Sequence, residues 1–445
     1  MTSRKKRRIG RAGLWAVLWL TLFLCTGCSS INLNPEGLMS PPLATEDQSQ
    51  IMALIQKDSG TNNVIMRYPR SGDYRSAVIF KDFTGDSQED AIALYQTSEG
   101  TGTTIAFLTK RSGSWKITSS FVNVASQVDR VCFGDLNGDG VNETVVGWGS
   151  LQNQTGSVSV FEYRNGKITE HQPDVNAGEM VLVDMNDDGK SELFLVTLAG
   201  TDSSSKAVAS LYELRNESSL VKEASMEINQ SVGRYDSIQV GRVNEETRAV
   251  IVDGTCADGN SITQVIGWDQ KDGLLTALLS DAQVAATSRG AQLQCSARDI
   301  NQDGLIEIPT ASLLPGVNEE ALSCVSYLVS WNRLEQQEST LSVVVNTVVN
   351  SDAGYAFSYP DMWENKVTCK KDGDSMVFLL VDGETEIMRI DMFASSRWNT
   401  TASEGYEELA EQNSVIYAVK KGDYQGELQM NLEDIRQAFM LLDGQ

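Results

Sequence analysis

The stretch that decides the fold is DLNGDGVNE, at residues 135–143. Oxygen-bearing side chains stand at its first, third, fifth and ninth positions, and Gly140 stands where the backbone must turn sharply. A chain that alternates in this way within a tight loop directs those side chains inward, and the seventh residue adds a backbone carbonyl. Ca²⁺ takes about six to eight oxygen ligands at roughly 2.3–2.6 Å, which such a loop can supply. The predicted ligands are Asp135, Asn137, Asp139, Val141 and Glu143.

The stretch differs from an EF-hand. It matches the first half of an EF-hand loop, but that loop closes with a glutamate at its twelfth position. Here the last acid, Glu143, is the ninth residue. The residues on either side, 129–134 and 144–149, have the composition of short strands rather than helices. The sequence therefore predicts a cation-binding loop between two strands.

The same pattern recurs along the chain. Residues 184–192 and 299–307 match it at every ligand position, whereas residues 82–90 have a threonine third and the glycine displaced to Gly85. A fifth copy begins with Arg242 in place of the first aspartate. The starting positions 82, 135, 184, 242 and 299 are 53, 49, 58 and 57 residues apart. The further predicted ligands are Asp184, Asn186, Asp188, Lys190 and Glu192; Asp299, Asn301, Asp303, Leu305 and Glu307; and Asp82, Thr84, Asp86 and Asp90.

Each copy lies between two apolar runs rich in β-branched residues, and a second pair of runs follows. The first pair, such as residues 180–183 and 193–196, is nearly continuous, as expected for strands buried on both faces. A later pair is separated by Asn165-Gly166, which favours a two-residue hairpin turn. Four strands in about 50 residues form one blade of a β-propeller. Five copies therefore predict a mainly β chain with a five-bladed propeller.

The loop-in-blade pattern, over residues 70–345, resembles FG-GAP/VCBS repeats, the type found in integrin α-subunit propellers and in many bacterial surface proteins. The resemblance implies that each acidic loop joins the first two strands of a blade and holds Ca²⁺. The phenylalanine-glycine signature of the family is echoed at Phe133-Gly134. Five repeats are fewer than the seven usual in integrins. The predicted propeller domain covers residues 61–349.

The fifth copy is predicted to bind no metal. Arg242 cannot ligate a cation, because its guanidinium is always protonated and only donates hydrogen bonds. We expect it to lie among Asn244 and Glu246 and to replace the charge of the metal.

The N-terminus has the composition of an export signal. Six basic residues precede an apolar run at residues 14–25, which is short for a membrane span. Residues 24–28, LCTGC, resemble a bacterial lipobox, with Cys25 where the family usually has leucine. The resemblance implies cleavage before Cys28 and lipid attachment to its sulfur. Residues 1–27 are therefore predicted to be a signal peptide, and residues 28–60 a flexible tether with a short helix at 51–57. An uncleaved anchor is the alternative, and either places the folded part outside the cytoplasmic membrane.

Residues 350–445 carry no acidic loop and predict a small α+β domain. We expect strands at 375–380, 386–392 and 415–419, and helices at 403–412 and 432–442. The opening, GYAFSYPDMW at residues 354–363, resembles PsbP-like domains. A partner-binding α+β domain outside that family fits equally well. Because this domain lacks cation loops, it is expected to unfold independently of calcium.

The composition restricts the partners. Sixty acids and 36 bases give a net charge of −24, and removing residues 1–27 removes six bases and no acids. Such a surface disfavours nucleic acid, whose binding depends on Lys and Arg. The five cysteines after Cys28 show no disulfide framework, although a bridge between Cys295 and Cys324 is conceivable. The single histidine, His171, is predicted to be a surface residue.

No sequence motif for nucleophilic, zinc or phosphate chemistry is present. The sequence therefore predicts a lipid-anchored, calcium-stabilised binding or scaffold module at the cell surface, with a protein or carbohydrate ligand. The alternative is a carbohydrate-active enzyme whose pocket lies at the centre of the propeller. Paired acids and aromatic residues converging there would favour the enzyme.

Overall fold

The computed structural model describes residues 45–97, 100–149, 156–200, 205–215, 219–293, 295–317, 323–335, 340–398 and 404–442. The chain separates into two units, Met1–Ala53 and Leu54–Gln445. Helix α1, Glu46–Ser59, spans that boundary and contains the helix predicted at 51–57, which is confirmed. The predicted signal peptide and Cys28 lie outside the described residues. Among the described residues, no helix is both long and apolar enough to cross a bilayer.

The second unit is mainly β. Its described strands form six antiparallel sheets, each built almost entirely from consecutive strands. Sheet 1 contains β1 (Val64–Met66), β2 (Val78–Phe80), β3 (Ala91–Thr97), β4 (Thr103–Arg111) and β5 (Ser114–Asn123). Sheet 2 contains β6 (Gln127–Gly134), β7 (Glu143–Gly149), β8 (Ser157–Arg164) and β9 (Lys167–His171). Sheet 3 contains β10 (Glu179–Val183), β11 (Glu192–Val196), β12 (Val208–Arg215) and β13 (Ser219–Glu227).

Sheet 4 has the same four-strand plan as sheets 2 and 3, whereas sheets 5 and 6 have five strands each, not all in chain order. Sheet 4 contains β14 (Val232–Arg242), β15 (Arg248–Cys256), β16 (Ser261–Asp269) and β17 (Leu274–Ala277), and the short helix α2 (Asp281–Ala286) follows it. Sheet 5 begins with β18 (Ile308–Leu313), β19 (Tyr327–Leu334) and β20 (Leu341–Asn350), continues with β21 (Tyr355–Ser358) and ends with β27 (Phe439–Leu441). Sheet 6 contains β22 (Val367–Asp372), β23 (Ser375–Leu380), β24 (Glu386–Ala394), β25 (Glu407–Gln412) and β26 (Val415–Lys421), and helix α3 (Leu432–Ala438) follows it.

The strand predictions in the repeats are confirmed, and the reason is local. In the first four repeats the strand that leaves the acidic stretch is buried on both faces along most of its length, as the continuous apolar runs indicate. Strand β11 is buried at all five positions, whereas β18 in the fifth repeat is buried only at Ile308 and Pro309. The hairpin between β8 and β9 turns at Asn165 and Gly166, whose φ angles are +53° and +79°. Two successive positive φ angles define the type I′ turn that Asn-Gly favours.

Hydrophobic cores join each sheet to the next in the chain. Phe107 of sheet 1 and Phe161 of sheet 2 lie in one core, with their ring centroids 5.1 Å apart. Sheets 2 and 3 share a core around Val160 and Leu195, and sheets 3 and 4 share one around Phe194 and Val250. A further core joins sheets 4 and 5. The sheets therefore pack face to face in chain order.

Sheet 5 continues across the predicted domain boundary at residue 350. Strand β20 pairs with β21, and β21 pairs in turn with β27 near the end of the chain. One hydrophobic core contains Val325 and Val348 from before the boundary together with Phe357, Trp363 and Phe378 from after it. The two parts of the chain therefore share both a sheet and a core.

Both helix predictions in the C-terminal part need correction. The helix predicted at 403–412 is wrong: Glu407–Gln412 is strand β25, the edge of sheet 6, which pairs with β26 around a bulge near residue 409. Tertiary pairing overrides local helix propensity there. The helix predicted at 432–442 ends at Ala438, because Phe439 turns to an extended conformation and starts β27. None of the five described cysteines forms a disulfide, so the Cys295–Cys324 bridge is absent.

Candidate functional site

The predicted cation loops lie at equivalent places in the repeats. Loop A (residues 82–90) joins β2 to β3, loop B (135–143) joins β6 to β7, and loop C (184–192) joins β10 to β11. Loop D (242–248) joins β14 to β15, and loop E (299–307) leads into β18. In loops A, B, C and E, the first and last residues are acids that flank a tight turn.

The first aspartate of each loop organises the turn. In loop B, one carboxylate oxygen of Asp135 accepts a hydrogen bond from the amide of Gly138 at 2.6 Å, and the other accepts from Gly140 at 2.8 Å. In loops C and E, Asp184 and Asp299 accept from the sixth-position glycine amides at 3.1 Å and 2.7 Å. These bonds satisfy turn amides that no strand partner reaches.

The same backbone shape explains why glycine falls where it does. In all four acidic loops the fourth and sixth residues have positive φ, for example +77° and +84° at Gly138 and Gly140. Loop A has Gly85 at +74° in fourth place and Ser87 at +63° in sixth place. Loop A therefore keeps the common frame, and its glycine occupies the other left-handed position rather than a displaced one.

The carboxylates of loop C converge. Among the described residues, Asp184, Asp188 and Glu192 form a group whose oxygen atoms all lie within 4.8 Å of one another. This donor set consists of hard oxygen ligands, which suits Ca²⁺ better than a soft metal. Lys190, whose backbone carbonyl is a predicted ligand, directs its ammonium to Glu213 at 3.2 Å and lies 3.9 Å from Asp188. The residues present therefore fit a calcium ion, with one lysine at the rim.

The acid that closes each loop is buried. Glu143, Glu192 and Glu307 are at most 2% exposed, and so is Asp90 in loop A. Burial is the main cause that raises the pKa of Glu143 to about 8 and that of Glu192 to about 7, and the neighbouring loop carboxylates raise both further. Each of the three glutamates accepts one backbone hydrogen bond, such as that from Leu136 to Glu143 at 2.7 Å, and Asp90 accepts two. A buried carboxylate of this kind needs a positive partner to remain ionised at neutral pH.

The strand that pairs with the one leaving each acidic loop places one more residue against the closing acid. Thr144 pairs with Phe161, so the preceding Glu143 faces Glu162. By the same register Glu192 faces Glu213, since Leu193 pairs with Tyr212. In loop E the corresponding residue is Arg333, and in loop A it is Thr109. No local sequence pattern marks these positions, because only the strand register brings them to the loop.

Glu162 in loop B is also in contact with the single histidine. Its carboxylate lies 3.4 Å from His171 Nε2 and 3.2 Å from Arg164 Nε, and it accepts a hydrogen bond from Asn137 at 3.3 Å. The side chain of His171 is only 9% exposed, so the prediction of a surface histidine is wrong. The histidine side chain packs behind the loop because strand β9 pairs with β8.

Loop D is shorter and is closed by backbone contacts. Arg242 pairs directly with Arg248 across the turn, and the amide of Val243 donates to the carbonyl of Thr247 at 3.0 Å. The guanidinium of Arg242 donates to the carbonyl oxygen of Glu245 at 3.0 Å. Asn244 caps the turn by accepting from two backbone amides.

Each loop touches the next one in the chain. The four contacts have the same placement, since each joins the first half of one loop to the second half of the following loop. They are Gly85 against Val141, Asp135 carbonyl to Ser191 amide at 2.8 Å, Asp184 carbonyl to Arg248 Nη1 at 3.1 Å, and Arg242 carbonyl to Ile306 amide at 2.7 Å. The five loops therefore form one continuous row.

A cavity of about 990 Å³ lies among the first strands of the repeats and the C-terminal part. Its basic residues are Arg130, Arg298 and Arg436. Among the described residues that line it, Asp236 and Asp299 are the carboxylates and Phe439 is the aromatic one. Asp236 pairs with Arg234 at 2.8 Å, and Asp299 accepts amides within loop E.

Comparison with known proteins adds little. No protein-family model matches the chain, and no curated protein sequence is significantly similar to it. One solved structure, described as the crystal structure of the protein from Lactobacillus plantarum, matches with a TM-score of 0.30 and 8% sequence identity, over 70% of this chain and 82% of that chain. A similarity this weak does not inform the fold class or the function.

Proposed function

We propose that sheets 1 to 5 are the blades of a five-bladed β-propeller. Three observations support this proposal. Consecutive sheets share hydrophobic cores. The five loops contact one another in chain order. The first strands of sheets 2 and 4 and the start of loop E line a common cavity, as the innermost strands of a propeller would.

We further propose that calcium stabilises this propeller. The observation that carries the proposal is the set of buried closing acids beside converging carboxylates, most completely in loop C. Asp184, Asn186, Asp188 and Glu192 would hold the ion there with the carbonyl of Lys190. Asp135, Asn137, Asp139 and Glu143 would do so in loop B with the carbonyl of Val141. Bound calcium would neutralise these acids and fix the connection between the first and second strands.

The protein then acts as a binding or scaffold module outside the cytoplasmic membrane, held there by a lipid on Cys28. The cavity among the inner strands is the candidate site for a protein segment or carbohydrate ligand. Glycoside hydrolysis needs two carboxylates in acid and base or nucleophile roles. Both carboxylates of the cavity already have partners, which favours binding over the alternative of a carbohydrate-active enzyme.

Calorimetry at calcium concentrations from zero to millimolar tests the role of the metal. Chelation should lower the melting temperature by many degrees, and calcium should restore it. A melting temperature that is the same in chelator and in millimolar calcium would contradict the proposal.

The binding role needs its own test. Wild-type protein and Arg298→Glu, which reverses a charge in the cavity, should be compared on a panel of glycans and envelope proteins. A ligand retained by wild type and lost by the variant supports a binding site in the cavity. Release of shortened glycans by wild type would favour the enzyme instead.

A further inference from the structure

Loop E matches the cation pattern completely, yet its surroundings differ from those of loops B and C. The difference lies in the residue that the strand paired with the one leaving the loop places against the closing acid. In loops B and C that residue is a glutamate, which joins the aspartates at the first and fifth positions and the closing glutamate to make four carboxylates. In loop E it is Arg333, near the end of β19, so three carboxylates face one guanidinium.

The contacts of Arg333 show what this exchange does. Its Nη2 donates to Glu307 Oε1 at 3.0 Å and also contacts Asp303 Oδ2. Asp303 and Glu307 are the fifth and ninth residues of the loop, two of its predicted metal ligands. The Glu307 side chain is 0% exposed, and that of Arg333 is 28% exposed. One nitrogen of the guanidinium therefore bridges the two carboxylates where a cation would bridge them.

We propose that Arg333 takes the place of the metal ion in loop E. A cation from the protein's own chain then occupies a set of ligands that would otherwise bind calcium. The inference rests on the proposed function only in that loops B and C are taken to bind calcium. A guanidinium and a divalent cation repel each other and compete for the same oxygens. Calcium affinity also falls as the ligand charge decreases, and loop E has the lowest net negative charge of the three complete loops.

Arg333 and Arg242 stand in different relations to their loops. In loop D the arginine is itself the first residue of the loop, is exposed, and donates to a carbonyl oxygen, in a loop without the closing acid. In loop E the loop itself is intact, and the arginine comes from a neighbouring strand. Removing the Arg333 side chain should therefore expose a complete ligand set rather than leave a defect.

The test is the calcium stoichiometry of the full-length protein in detergent, measured by isothermal titration calorimetry after chelation. Arg333→Met is compared with wild type and with a matched control, Arg389→Met. Arg389 is 27% exposed and also lies between two carboxylates, those of Asp372 and Glu386, but outside any loop. We expect Arg333→Met to bind one more equivalent of calcium than wild type, and Arg389→Met to bind the same number. Adding Glu307→Gln to Arg333→Met should remove the extra equivalent.

The outcomes separate this inference from the proposed function. Wild type that binds no calcium, together with Arg333→Met that binds one equivalent, contradicts calcium binding by loops B and C but supports the role of Arg333. Equal stoichiometry in wild type and Arg333→Met overturns the inference. Arg333→Gln provides a second variant if the first is unstable. Failure of both variants to fold at every calcium concentration also overturns it, because calcium should restore a vacated loop.

Discussion

Glu192→Gln gives the sharpest test of the cation loops, because its expected effect changes sign with calcium. The substitution keeps the shape of a side chain that is 2% exposed and removes its charge. In chelator, burial raises the pKa of Glu192 from 4.5 to about 7. Between these values the folded protein retains a proton that the unfolded chain has released. The free energy of unfolding therefore falls as pH rises through this window.

The magnitude follows from that pKa. At about 1.4 kcal/mol per pH unit, the difference corresponds to an upper bound of about 3 kcal/mol lost above pH 7. In chelator at pH 8, Glu192→Gln should therefore be more stable than wild type by up to that amount, and near pH 5 the two should be nearly equal. Calcium at a thousand times its dissociation constant should reverse the order at pH 8, since it then contributes about 4.1 kcal/mol, which exceeds that difference.

Urea denaturation at pH 5 and pH 8, each in chelator and in calcium, gives the free energy of unfolding of each protein under all four conditions. Glu179→Gln is the matched control. Glu179 also has its pKa raised to about 7, mainly by burial, but it pairs with Arg130 at 3.4 Å and belongs to no loop. Its calcium response should equal that of wild type. Glu192 is not a buried calcium ligand if Glu192→Gln is no more stable than wild type in chelator at pH 8, or responds to calcium as fully as wild type does.

Three other predictions concern the rest of the chain. Arg289→Met removes one partner of a fully buried ion pair, in which Arg289 Nη2 lies 2.9 Å from Asp253 Oδ1. The free energy of unfolding should fall by about 3–5 kcal/mol in calcium and in chelator alike, and a calcium-dependent loss would contradict a purely structural role. Phe357→Ala should lower the free energy of unfolding by about 3–5 kcal/mol, and it should lower the midpoint temperature of a single calorimetric transition that includes the repeats. Two separate transitions would instead show that the C-terminal part unfolds independently. Cys28→Ser should release the protein from membranes or leave the precursor uncleaved, and unchanged retention after normal cleavage would exclude the lipid anchor.

The loops were predictable from the sequence because everything that defines them is local. The spacing of Asp135, Asn137 and Asp139 and the two left-handed positions are properties of nine consecutive residues, so the pattern carries the geometry with it. The hairpin at Asn165-Gly166 was predictable for the same reason. Glu162 and Arg333 were not predictable in this way. They reach a closing acid only through the register of two strand pairs, which no local pattern specifies.

At two places in the C-terminal part, local sequence patterns predict the wrong secondary structure. The sequence predicts a helix at residues 403–412, but Glu407–Gln412 is an edge strand paired with β26. Only seven residues of the last predicted helix are helical, because Phe439 joins β21 instead. In both places pairing with a distant strand decides the structure, and the local periodicity of the sequence contains no information about that pairing. The shared core across residue 350 was missed for the same reason.

The row of loops has a consequence for how calcium would act. Ser191 lies in loop C beside Glu192, and its amide donates to the carbonyl of Asp135, the residue that organises loop B. An ion in loop C would fix Glu192 and therefore the adjacent amide, which in turn restrains Asp135 in the conformation that loop B needs. When calcium occupies loop C, ordering loop B then costs less conformational entropy. This is the condition for positive cooperativity between the two loops. Loop E, if Arg333 closes it, would anchor the far end of the row through Ile306 and Arg242 at every calcium concentration. The cations would thus stabilise the boundaries between sheets, where the loops meet, as well as the individual turns.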